Sequence, residues 1–152
     1  MLEGEQIVYV ARVAAHRIMS VAINVGTRFP AHETSMGRVL LAGLGQDRRT
    51  MILSGAVLEP RTPRTITDRQ DLEAELERVA EQGYALVDQE LEIGLRSIAA
   101  PIRDVGGEVV AAVNLSVAAA TMTPAEMRRR LLGPLQEAAE AISRDLGVTP
   151  GS

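Results

Sequence analysis

Apolar residues recur at helical spacing from Met36 to Leu44, whereas they alternate with a period of two through "VVAAVNLSV" at residues 109–117. The chain therefore mixes helix and strand patterns, and the pattern changes several times along its length. The β-rich runs "IVYVARVA" and "RIMSVAINV", with "AHR" between them, predict an early hairpin. Thr34 or Ser35 can cap the helix that follows, in which Met36, Leu40 and Leu44 line up beside Val39 and which Gly43 and Gly45 end. "QDRRTMILSG" predicts a second short helix, and "LEPRTPRTIT" reads as a loop. Thr67 with Gln70 fits a capping box for a third helix, with Leu72, Leu76 and Val79 on one face and Gly83 just past its end. "YALV" is a short strand. "GLRSIAAPI" and "EVVAAVNLSV" flank "RDVGGE", where Gly106 and Gly107 offer positive φ for a tight turn. A second capping box, Thr123-Pro124-Ala125-Glu126, opens a final helix that Gly133-Pro134 should bend and Gly147 should end. Strands at both ends with helices between them predict an α+β domain built on one antiparallel sheet covered by helices.

Alternation assigns each side chain of the late hairpin to a face. Val109, Ala111, Val113, Leu115 and Val117 share one face, and Val110, Ala112, Asn114 and Ser116 the other. In the partner strand Ile98, Ala100 and Ile102 form the greasy face, and Ser97, Ala99 and Pro101 the small one. A turn centred on the two glycines sets Ile102 opposite Ala111, Ala99 opposite Asn114 and Ser97 opposite Ser116. Two hydroxyls and an amide then converge among alanines, leaving room for a small molecule above the sheet. The early hairpin offers a second patch, Ser20, Ala22 and Asn24, with Tyr9 opposite Ala22 if the strands turn symmetrically at "AAHR". The same small residues also suit plain helix packing.

Composition removes several classes of function. The chain has 152 residues, 46% hydrophobic and 24% charged, which suits a single domain. A net charge of −4 is unlike the basic footprint of a nucleic-acid-binding surface. All 16 basic residues are arginine. With no cysteine, thiolate catalysis and disulfides are excluded, and two histidines, His16 and His32, without metal-ligand spacing argue against a zinc site. No cofactor is expected. Apolar runs are short and no signal-peptide core opens the chain, so a soluble cytoplasmic protein is expected. His32 lies three residues before Ser35, so a serine hydrolase can be drawn, yet no acid partner completes it and "HETS" is not a nucleophile elbow. His32 reads instead as an exposed loop residue. A ligand-free interaction module is the other alternative, with "MRRRLL" and the Arg48 region as solvated or paired faces.

Taken in order, "HETSMGRVLLAGL", "DQELEIGLRSIAAPI" and "VVAAVNLSV" resemble the effector-binding domain of IclR-type transcriptional regulators, from about Ile7 to Leu146. The wording is most similar to regulators of protocatechuate and 4-hydroxybenzoate catabolism. The resemblance implies a GAF-like domain that binds a small organic acid, aromatic or keto, and assembles into a homodimer or tetramer. It also implies a winged helix-turn-helix domain ahead of this one, outside residues 1–152, through which operator DNA would be bound. Ligand contacts are implied for the backbone amides of Ser35, Met36 and Gly37 and for the side chains of Ser97, Asn114 and Ser116. Asp88 and Tyr9 are added as candidate contacts. Position 97 is serine where some members have cysteine, which bears on the choice of ligand.

One residue of that motif raises a question. Arg38 stands in the first turn of its helix, where the dipole repels positive charge. Negative charge nearby would answer it, either a bound acid or, as the preferred reading, Glu33 across the cap with the arginine at the surface. Gly37 is expected to let the acid approach the helix end closely.

Overall fold

The structure is a computed structural model, and it describes residues 1–13 and 23–147. Two three-stranded antiparallel sheets and five α-helices make up those residues. The α+β class stands, but the strands at the two ends of the chain do not merge into one sheet there.

The first sheet holds β1 (Leu2–Glu3), β2 (Gln6–Val8) and β3 (Arg28–Pro30) in that order. Ile7 pairs with Phe29, and beyond the strands the Tyr9 N–H donates to the Thr27 carbonyl. Tyr9 is thus opposite Thr27 and not Ala22. Gly26, at φ +90°, turns the chain just before β3, and "AAHR" lies outside the described residues. Ser20 and Ala22 lie outside the described residues, and Asn24 belongs to that turn, where its backbone N–H donates to Thr27 Oγ1.

Next come a 3-10 turn over Ala31–Glu33 and helix α1 (Ser35–Ala42). Thr34 is the cap: its Oγ1 accepts from the Gly37 N–H at 3.0 Å. Helix α2 (Gln46–Leu53) follows, and then α3 (Arg69–Gln82). The cap of α3 is Asp68, whose carboxylate accepts from the N–H groups of Gln70 and Asp71. Asp68 displaces Thr67 from that role, as expected where a charged acceptor competes with a hydroxyl for the same amides. Gly83 ends α3 at φ +81°.

The second sheet, β4 (Ala85–Asp88), β5 (Leu95–Arg103) and β6 (Val109–Ala118), is the framework of the domain. Ser97 pairs with Ser116, Ala99 with Asn114 and Ile102 with Ala111, the register read from alternation. Only Gly107 of the turn takes positive φ, and Asp104 Oδ1 accepts from the Gly106 and Glu108 N–H groups. Between Ile102 and Arg103 the register slips, and Arg103 pairs with Val109. This bulge turns Val109 away from the Ala111 face and against Gly43 of α1, so its predicted face is wrong.

Helices cover both faces of this sheet. On one, Ile98, Ala100 and Ile102 pack against Met127, Leu135 and Ala139 of α4 (Pro124–Arg130) and α5 (Leu132–Gly147). On the other, Ala85 and Ala99 leave room for Val39 of α1 and Val79 of α3. The predicted bend falls at Leu131, because Pro134 has no N–H to donate to the Arg130 carbonyl and its ring crowds that oxygen. The capping box at Thr123 and Glu126 forms as read from sequence. A third cluster joins Ile7, Leu40, Leu41, Leu72 and Leu76, tying α1 and α3 to β2. Leu76 is fully buried there. Replacing it with alanine is expected to lower unfolding free energy by about 2 to 5 kcal/mol, read by urea denaturation followed by circular dichroism.

Candidate functional site

Helix α1 presents its N-terminal end to the Ser97 side of β5. Burial of Val39, Leu40 and Leu41 fixes the helix, and the small residues of the sheet let it approach. Ser97 Oγ donates to Ser35 Oγ at 2.8 Å, joining strand to helix end. Around this bond lies a cavity lined, among the described residues, by Tyr9, Glu33, Thr34, Ser35, Ser97 and Asn114, with Ser116, Val87, Leu91 and Leu95 beside them. Asn114 Nδ2 donates to Ser116 Oγ at 3.3 Å on its open side. About 20 Å³ is open to the centre of a water-sized sphere, enough to seat a water but far short of an aromatic acid. The wall has to part for a larger guest. Burial pushes the Tyr9 hydroxyl upward in pKa against the opposing charge of Arg12, so it remains a neutral donor.

Five of the residues singled out from sequence line this cavity: Tyr9, Ser35, Ser97, Asn114 and Ser116. Met36, Gly37 and Asp88 do not. The Met36 side chain, on α1 itself, is partly buried against the core. Gly37 has its N–H occupied by the cap, and a Cβ there would stand 1.9 Å from the Ala31 carbonyl oxygen. Glycine is required for the fold at that position, and the expectation that it admits a ligand fails. Asp88 accepts hydrogen bonds from Arg96 Nε at 2.6 Å and Arg64 at 2.7 Å. The residues missed are Glu33, Thr34, Val87, Leu91 and Leu95. Val87 and Leu95 follow from extending the strand faces, but Glu33 has no signal in alternation because it sits in a 3-10 turn.

The electrostatics beside the cavity correct two expectations. Arg38 is 1% exposed, not at the surface. Its guanidinium makes two parallel bonds to Glu90, at 2.9 and 2.7 Å, and its Nε donates to the His32 carbonyl at 2.9 Å. Glu75 approaches at 3.7 Å. Glu33, the expected partner, is bound by Arg61 instead. His32 is 3% exposed, not an exposed loop residue, and neither ring nitrogen has a hydrogen-bond partner. Since Ser35 Oγ bonds to Ser97 and His32 bonds to neither, no serine–histidine dyad exists. Arg49 is likewise buried, on Glu73, whereas Arg128, Arg129 and Arg130 are exposed. Among the described residues no group of three or more His, Asp or Glu could hold a metal ion, and no helix is long and apolar enough to cross a membrane.

Comparison with known proteins decides what this arrangement belongs to. The family described as bacterial transcriptional regulator IclR C-terminal matches residues 1–144. The chain belongs to the IclR family as its C-terminal, effector-binding domain. It is a regulator domain and not an enzyme. The Pca regulon regulatory protein of Pseudomonas putida is 47% identical over 95% of the chain and 49% of the relative. The Pca operon regulatory protein of Acinetobacter baylyi is 32% identical over 93% of the chain and 52% of the relative. This IclR domain thus spans about half the length of the curated relatives it matches. Among solved structures, a transcriptional regulator from Rhodococcus sp. RHA1 superposes with a TM-score of 0.91 at 49% identity, covering 95% of this chain and 59% of that one. The inducer-binding domain of a PobR double mutant from Acinetobacter, in complex with 3-hydroxybenzoic acid, superposes with a TM-score of 0.86 at 29% identity, over 93% of this chain and 83% of that one.

Two outcomes follow from these pairs. Arg38→Gln takes the cation away from the part-buried Glu90 and the buried Glu75 and is expected to lower stability by about 3 to 5 kcal/mol in urea denaturation. At Asp88, burial raises the pKa, but hydrogen bonds from Arg96 and Gln89 and the charges of Arg96 and Arg64 more than reverse it, so the net shift is downward. The folded state therefore favours the carboxylate. Its contribution is present above the unfolded value of about 3.9 and is lost as pH falls through the lowered folded one. Urea midpoints measured from pH 7 to pH 2.5 are expected to fall less steeply for Asp88→Asn than for the parent.

Proposed function

We propose that this domain senses a small carboxylic acid, of the aromatic hydroxybenzoate or protocatechuate type, in the cavity between α1 and the β5–β6 hairpin. The observation that carries the reading is the position of Ser35, the first residue of α1, in the cavity wall beside the polar cluster of Ser97, Asn114 and Ser116. The cap engages the Gly37 N–H, and the Arg38 N–H donates to the Thr34 carbonyl. The first-turn amide of Ser35 is left outside those bonds. Such amides carry partial positive charge and stabilise a carboxylate without a charged side chain. The likeness to a PobR inducer-binding domain in complex with 3-hydroxybenzoic acid supports an aromatic guest, and the Pca regulators among the relatives support the same catabolic setting.

The rest of the proposal concerns the whole protein. A winged helix-turn-helix domain, located ahead of this one, would bind operator DNA in the cytoplasm, and this domain would assemble it into a homodimer or tetramer. A guest larger than the closed cavity must displace its wall, and that displacement is what a sensor needs to change the assembly. Titration calorimetry with benzoate and with its neutral amide tests the central claim. The acid is expected to bind at least tenfold more tightly than the amide. Equal affinity for the two would show that the helix end does not read negative charge.

A further inference from the structure

Glu33 is the one carboxylate in the cavity wall, and its side chain is 1% exposed. Burial of a carboxylate is costly unless its oxygens are answered by donors. Arg61 Nε answers Oε2. Among the described residues no hydrogen bond reaches Oε1, and His32 Nε2 lies 3.6 Å from it, beyond a hydrogen bond. An ionised carboxyl accepts at both oxygens, so this one retains acceptor capacity at the edge of a polar cavity.

The rest of the polar lining, the hydroxyls of Tyr9, Thr34, Ser35, Ser97 and Ser116 and the Asn114 amide, can both donate and accept but carries no charge, so Glu33 is its strongest acceptor. A guest that put its own carboxylate against Glu33 would meet like charge in a desolvated setting. A guest that put a hydroxyl there would supply the donor that Oε1 lacks. From this pairing of a helix end with a buried carboxylate, we infer that Glu33 is a specificity-determining residue: it selects acids that also carry a hydroxyl, by accepting a hydrogen bond from that hydroxyl. The inference rests on the carboxylic-acid reading of the cavity proposed above.

The test crosses ligand with side chain. Affinities of benzoate, 3- and 4-hydroxybenzoate, and 3- and 4-fluorobenzoate are measured by calorimetry for the parent chain, Glu33→Gln and Glu33→Ala. Fluorine approximates the size of the hydroxyl but has no proton to donate. In the parent, at least one hydroxybenzoate is expected to bind about tenfold more tightly than benzoate and its fluoro counterpart, the scale of a hydrogen bond to a charged group. In both variants that ratio is expected to fall to within about twofold of unity. The parent alone gives a decisive ligand comparison even if neither variant folds: no preference for hydroxyl over fluorine overturns the inference. A preference that persists in folded variants also overturns it, while binding of benzoate in either case leaves the acid-sensing reading intact. Failure of the parent to bind any of the five acids removes both.

Discussion

The arrangement of this domain depends on a charge taken out of water. Arg38 belongs to the first turn of α1, where the helix dipole opposes it, and it is buried besides. The first cost is small, about 0.3 to 1 kcal/mol, but a buried cation without a partner costs several. Glu90 cancels the charge with two parallel bonds, and the His32 carbonyl accepts the third. The pair does not necessarily add net stability, since desolvation offsets much of the attraction. What it adds is placement. It ties the start of α1 to the turn after β4, so that Ser35 meets Ser97 at hydrogen-bond distance.

That turn is itself over-determined. Gln89 takes φ +58°, a conformation that costs a non-glycine residue about 1 kcal/mol. It is held there by Thr62 Oγ1, which donates to the Gln89 carbonyl, by Gly94, which donates to the Gln89 side chain, and by Thr65 Oγ1, which donates to the Glu90 carbonyl. The loop that reads in sequence as a Pro- and Thr-rich connection is therefore a clamp on the residue that receives Arg38. The same loop carries Arg61 to Glu33. The buried Glu33 and the part-buried Glu90 are thus both held from one segment.

How much of this was legible follows from what each signal can carry. Alternation in "GLRSIAAPI" and "VVAAVNLSV" with one short turn leaves little freedom, and the pairing of Ser97 with Ser116 was readable from it. Val109 was misplaced because a bulge changes the count of residues without changing their polarity. The cap of α1 was open between Thr34 and Ser35, and that of α3 was read as Thr67 where its neighbour Asp68 takes the role. The long-range ion pairs were out of reach: Arg38 and Glu90 are 52 positions apart, and no local pattern says which of the many acidic residues a buried arginine will find. Glycine 37 misled for a related reason. A missing Cβ makes room for a ligand or for the chain itself, and only geometry shows that the Ala31 carbonyl occupies the space.

The positive charges in all these pairs are guanidinium groups, since the sequence contains no lysine. A guanidinium is planar and keeps its proton across the whole range in which proteins fold. Bonded on three sides, the plane at Arg38 fixes not only how near α1 comes to the sheet but how far it can roll about its own axis. The side chains of this sequence also offer no primary amine. Acylation, the commonest chemical means of cancelling a cation on a regulatory protein, therefore has no side-chain nitrogen to act on. Charge can be withdrawn from these pairs only at the carboxylate end, through a proton.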